Sequence, residues 1–108
     1  MASTALREAL DRFAEREPGV RSFETLANEC RRLGSEDSAN AVHFTLVGLA
    51  AQQFYDAFEG QPLPVEEAYA AKERLLAAAR ESAQALSADA ETKLAALNRL
   101  AQMILRRD

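Results

Sequence analysis

β-branched residues never run together in this chain, and alanine, at 23 of the 108 residues, fills the space they leave. Leu, Glu, Arg and Gln make up about half of the rest. These side chains lose little rotamer freedom in a helix and do not compete for its backbone hydrogen bonds. A half-buried strand would need about four to eight residues of Val, Ile, Thr or aromatics alternating with polar ones, and no segment does this. The expected fold class is all-α.

Punctuation divides the chain into five helices. The first is expected over Ala5–Glu17, capped by Ser3 or Thr4, with Leu6, Leu10 and Phe13 as its apolar stripe. Pro18-Gly19 stops it. Ser22 then caps a helix over Phe23–Leu33 with an apolar face of Phe23, Leu26, Ala27, Cys30 and Leu33, and Gly34 is read as the left-handed residue past its end. Ser35-Glu36-Asp37-Ser38 opens the third helix, Ala39–Glu59, with two acids at the positive end of its dipole. Gly60-Gln61-Pro62-Leu63-Pro64 is the clearest break. The fourth helix runs over Val65–Leu86, with a stripe of Tyr69, Lys72, Leu76, Ala79, Ala83 and Leu86 flanked by Leu75. Ser87 or Asp89 caps the fifth, Ala90–Arg106, whose seam is Leu94, Leu97, Ala101 and Ile104, with Arg106 and Arg107 at its negative end.

The third helix is the most hydrophobic. Val42, Leu46, Leu49 and Gln53 form one stripe, and His43, Val47, Ala50, Phe54 and Phe58 form its neighbour. A helix apolar over this much of its circumference packs against partners on more than one side. With short connections, the expected architecture is a compact antiparallel bundle of four to five helices around this central one. One domain over residues 1–108 is the natural division, since a chain this long buries roughly two-thirds of its extended surface. At 48% hydrophobic residues the composition favours folding over disorder. No repeat of helical-hairpin length recurs in register.

Charge and cysteine usage narrow the setting. The lone Cys30 and an opening that reads as a helix start rather than a targeting segment predict a reducing, cytoplasmic compartment. The longest nearly apolar run, Ala41–Ala51, is shorter than the roughly 18 residues a membrane span needs. A net charge of -4 offers no general attraction to phosphate backbones or anionic lipid, so neither nucleic acid nor membrane is expected as a partner. The second and third helices superficially resemble a helix-turn-helix, but acids stand where a recognition helix would meet phosphate.

The chemistry-bearing residues are few. A di-iron bundle needs Glu-x-x-His pairs on two helices; His43 is the single histidine and position 40 is Asn. One Cys and one His cannot close a zinc site within one chain. No phosphate loop or dinucleotide fingerprint is present, and neither cofactor nor metal is expected. Glu8 with Asp11 and Asp56 with Glu59 have the i, i+3 spacing of magnesium-binding acids, but the pairs lie far apart in sequence, so a magnesium-dependent small enzyme is the least favoured function. Cys30 falls on an apolar face between Leu26 and Leu33 and is read as a core thiol; His43, between Val42 and Phe44, is read as a hydrogen-bonded histidine of the core or an interface.

Two surfaces remain. On the fifth helix, Leu94, Leu97, Leu100, Met103 and Ile104, widened by Leu105, either fill a groove between two neighbours or form a partner or dimer interface. Around the proline turn, Phe54, Tyr55, Phe58, Leu63 and Tyr69 either fold over the core or line a pocket or docking groove between the third and fourth helices. The expected function is a non-enzymatic protein-protein interaction module, an adaptor, regulator or assembly factor, with a protein partner or itself as a homodimer. The alternative is a bundle binding a small apolar molecule in that pocket.

Overall fold

The computed structural model describes residues 2–106 and contains α1 (Ala2–Glu15), α2 (Val20–Glu36), α3 (Ala41–Phe58), α4 (Val65–Ala85) and α5 (Ala90–Arg106). A single 3-10 turn, Ser38–Asn40, precedes α3, and there is no strand among the described residues. The fold is an all-α bundle.

Several helix ends form as their side chains dictate. Pro18 lies just beyond α1, where the residue before a proline is pushed out of helical geometry. Gly60 follows α3 with φ of 73°, a left-handed conformation that costs glycine nothing. Asp89 caps α5 by accepting the Thr92 backbone N–H at 2.8 Å, and hydrogen bonding from the Thr92 side chain and then from this N–H holds its carboxyl below the usual value. Arg107, expected beside Arg106 at this helix's C-terminus, lies outside the described residues.

Other ends differ from expectation. Helix α1 already includes Ser3 and Thr4, so neither caps it. Helix α2 starts at Val20 rather than Phe23, and Ser22 acts as its third residue: its hydroxyl accepts the Gly19 N–H at 3.1 Å and donates to the Gly19 carbonyl at 2.8 Å. Serine satisfies the first turn from either position. Gly34 does not end α2, which continues to Glu36. Glu36 therefore belongs to the end of α2, paired with Arg32 at 3.7 Å, instead of opening α3.

Gly34 has a packing role. A Cβ there would stand 3.1 Å from the Cβ of Phe44. At Gly48 of α3 a Cβ would stand 3.3 Å from the Cβ of Cys30 and 3.6 Å from the Ala27 carbonyl oxygen. Together with Phe23 against Phe54, these contacts run the full length of α2 and α3 in opposite senses, making an antiparallel hairpin of unusually close backbones. Helix α1 lies across α2 and α4, while α3 also meets α4 and α5. Contacts between Asp11 and Arg80, and between Lys72 and the Arg16 carbonyl, set α1 antiparallel to α4.

The α1 stripe of Leu6, Leu10 and Phe13 is fully buried, joined by Phe23, Leu26 and Cys30 from α2. In α3 the stripe containing His43, Val47 and Ala50 turns inward, whereas Val42 and Leu49 stay exposed. The buried residues of α4 are Ala68, Ala71, Leu75, Ala78, Ala79, Ser82, Ala83 and Ala85; Ala79, Ala83 and, just past the helix end, Leu86 turn inward as the expected stripe has them, whereas Tyr69 is exposed. No helix among the described residues is long and apolar enough to cross a membrane.

A larger side chain between α2 and α3 should force them apart. Gly48→Leu is expected to lower unfolding stability by about 2 kcal/mol through overpacking. Gly19→Ala, where a Cβ meets nothing within 4 Å, should change it by less than about 0.5 kcal/mol. Denaturant midpoints followed by far-ultraviolet circular dichroism check both.

Candidate functional site

Helices α3 and α4 diverge from a pinned end. At that end the Nδ1 of His43 and the Oγ of Ser82 are 2.9 Å apart, both side chains buried. Toward the other end Ala71 and Leu75 of α4 and Ala50 and Phe54 of α3 line a gap between the two helices. The result is a cleft of about 620 Å³, open along one side, with α5 entering through Met103.

Its floor is a ladder of rings that begins in the core. Phe13 meets Phe23 edge-on at 5.1 Å between centroids, Phe23 stacks on Phe54 at 4.1 Å, and Phe54 meets Phe58 at 4.9 Å. Such pairs contribute about 0.5–1.5 kcal/mol each beyond the area they bury. Leu75 and Met103 complete the apolar lining, and the polar lining groups are Gln53 and Asp56 of α3 with Glu67 and Arg74 of α4. Gln53 donates to the main-chain carbonyl of Ile104 at 2.8 Å, which ties the C-terminal part of α5 to the cleft. Asp56 accepts from the Gln52 amide at 3.0 Å.

Of the residues expected around a pocket, Phe54 and Phe58 line the cleft, whereas Tyr55, Leu63 and Tyr69 do not. Tyr55 follows Phe54 by about 100° of helical rotation, enough to turn it away from the cleft. Its hydroxyl donates to Glu59 at 2.9 Å, and that bond, with lost hydration and nearby acids, pushes its pKa up to about 12. Tyr69 is exposed, with Lys72 Nζ 5.9 Å from its ring centroid, and Leu63 is half-buried in the connector. Phe23 and Met103 were not expected here. Periodicity marks both as apolar, but neither helix carries a sign of which neighbour it meets.

The fifth helix lies in a groove between α3 and α4. Leu100 is fully buried in the core, so it is unavailable as a contact surface; Leu97, Met103 and Ile104 are half-buried. Leu94 and Leu105 remain 58% and 81% exposed. The Gln53–Ile104 hydrogen bond puts the seam of α5 beside the Val42–Leu46–Leu49–Gln53 stripe of α3, where Val42 and Leu49 are 51% and 48% exposed. Apolar side chains thus flank the α3–α5 seam on its outer side.

The residues considered for catalysis are dispersed. Cys30 is fully buried against Gly48, and burial pushes its thiol up to about 12, leaving no thiolate at neutral pH. His43 points instead to α4. Asp11 pairs with Arg80 at 3.5 Å, and Glu59 is engaged by Tyr55, so the two acid pairs do not converge. No group of three or more His, Cys, Asp or Glu suited to a metal ion occurs among the described residues. Glu29 joins α1 to α2 through an ion pair with Arg12, with Arg16 at 3.7 Å. Compared with protein-family models, curated proteins and solved structures, the chain matches none.

The His43 pin carries a pH dependence. Lost hydration, with the charge of Lys93 as a smaller cause, lowers its pKa below the ordinary value of 6.5. The unfolded chain therefore takes up this proton before the folded one does, and stability falls as pH drops below that value. The thermal midpoint should decline from about pH 7.5 to about pH 5, and a His43→Leu variant should decline less over the same range. Paired melting curves in matched buffers measure this.

Proposed function

We propose that this protein is a non-enzymatic interaction module, an adaptor, regulator or assembly factor, that receives an apolar segment of a partner protein in the cleft between α3, α4 and α5. The observation that carries this reading is the lining: a floor of contacting rings from Phe23, Phe54 and Phe58 with Met103, accompanied by polar side chains. Apolar surface of this kind, rimmed by polar groups, gains free energy when covered. A cytoplasmic setting goes with it, since the reduced thiol of Cys30 is part of the core. A small apolar molecule is the alternative occupant, and the cleft volume falls within the range of such sites.

A second reading is favoured by the exposure of Val42, Leu49, Leu94 and Leu105. Two copies packed along the α3–α5 seam would cover all four, making the protein a homodimer.

Each reading has its own test. Ala57 is an exposed lining residue, so Ala57→Trp should fill the cleft while leaving the core intact. The neutral dye N-phenyl-1-naphthylamine is expected to bind the native protein saturably at one site, and the variant at least about tenfold more weakly. Equal dye binding by both proteins overturns the cleft as the binding site. For the dimer, light scattering should report a native mass near twice that of the Leu94→Glu/Leu105→Glu variant, and a native chain monomeric throughout the micromolar range removes it.

A further inference from the structure

The cleft is electrostatically uneven, and this bears on what occupies it. Asp56 lies in the last turn of α3 and Glu67 in the first turn of α4, so the carboxylates stand on opposite walls at the connector end. Both side chains are exposed, and Asp56 accepts a hydrogen bond from the neutral Gln52 amide. Arg74, the cation of the lining, stands about two turns further along α4. One mouth of the cleft is therefore acidic from both sides above an aromatic floor. A neutral occupant would lower the dielectric around two like charges of the same lining, whereas a cation at that mouth is attracted by both.

The shape bears on the kind of occupant. A small ligand in its own site has most of its surface enclosed, but this cleft is open along one side and walled by helices. An amphipathic helix laid along such an opening can lower a few apolar side chains to the floor while its polar face stays in water.

We propose that the occupant is a basic amphipathic helix of another protein, with apolar side chains on Phe54 and Phe58 and a lysine or arginine between Asp56 and Glu67. The proposal rests on the cleft being the binding site and adds the charge and class of the partner. An acidic helix would meet repulsion at the same mouth, so the two carboxylates select as well as attract.

The test uses two synthetic peptides of about 16 residues with the same i, i+3, i+4, i+7 leucine face, one flanked by lysines and the other by glutamates. Fluorescence anisotropy measures each against the native protein, Ala57→Trp, and Asp56→Asn/Glu67→Gln, whose altered side chains are exposed; circular dichroism verifies that both variants fold. The lysine peptide is expected to bind at least about tenfold tighter than the glutamate peptide, with the ratio shrinking as salt rises. That ratio should approach one in Asp56→Asn/Glu67→Gln, and Ala57→Trp should abolish binding of both peptides. Equal binding of the two peptides by the native protein overturns the charge selection while leaving the cleft as the site. Undiminished peptide binding by Ala57→Trp overturns the site itself. If neither peptide binds but the cationic dye rhodamine 6G does, and Ala57→Trp abolishes that, the occupant is a small cation and the helix proposal is overturned. Binding of no probe overturns both site and partner.

Discussion

The bundle depends on how closely α2 and α3 approach each other. Gly34 against Phe44, and Cys30 and Ala27 against Gly48, bring two backbones to a separation at which one added methyl group meets its neighbour at 3.1 to 3.3 Å. Close packing of this kind tolerates little displacement, since interiors are already near crystal density. It fixes the rotation of α3 about its own axis. Once Phe44, Val47 and Ala51 are turned into the core, Phe54 must meet Phe23, and Val42 and Leu49 must face away from it. The aromatic ladder from Phe13 to Phe58 is thus a consequence of small residues elsewhere in the hairpin.

The same rotation places the cleft. His43 meets Ser82 where α3 and α4 are close, and Ala71 and Leu75 of α4 line the gap where they diverge. Helix α5 braces the divergence, anchored by buried Leu100 and by the bond from Gln53 to the Ile104 carbonyl. An aromatic floor held by ring-to-ring contacts beside an open margin suits recognition, because packing already restricts those side chains before a partner arrives. The proposed role in binding a partner follows from that combination, with Asp56 and Glu67 supplying discrimination at one mouth.

Much of this was legible beforehand. The α1 stripe, the glycine after α3, the proline-bounded start of α4 and the Asp89 cap of α5 all formed as local chemistry dictated. Phe54, Tyr55, Phe58 and Tyr69 were alike open to folding over the core or lining a pocket, and of these Phe54 and Phe58 line the cleft. An aromatic near a helix end faces a cleft or solvent according to the rotation of that helix against its neighbours, and one residue's shift changes the outcome. Gly34 was misread because a glycine between a helix and a capping sequence has two uses, a left-handed turn or a close approach. The second depends on Phe44, ten positions away. Because α5 is apolar over more than one side, its sequence left Leu100 open to either a groove or an interface, and the groove between α3 and α4 is what buries it.

By itself the sequence determined that this protein is built of helices and largely where they begin and end. Backbone hydrogen bonds, caps and turn residues act within about four positions of one another, so local composition is sufficient to specify them. Tertiary structure alone decided which of two adjacent stripes on α3 turned inward, that Phe23 completed the aromatic floor, and that α3 and α4 diverged into a cleft. Those outcomes depend on which helix can approach which backbone, and that distance is set by small residues distant in the chain acting together.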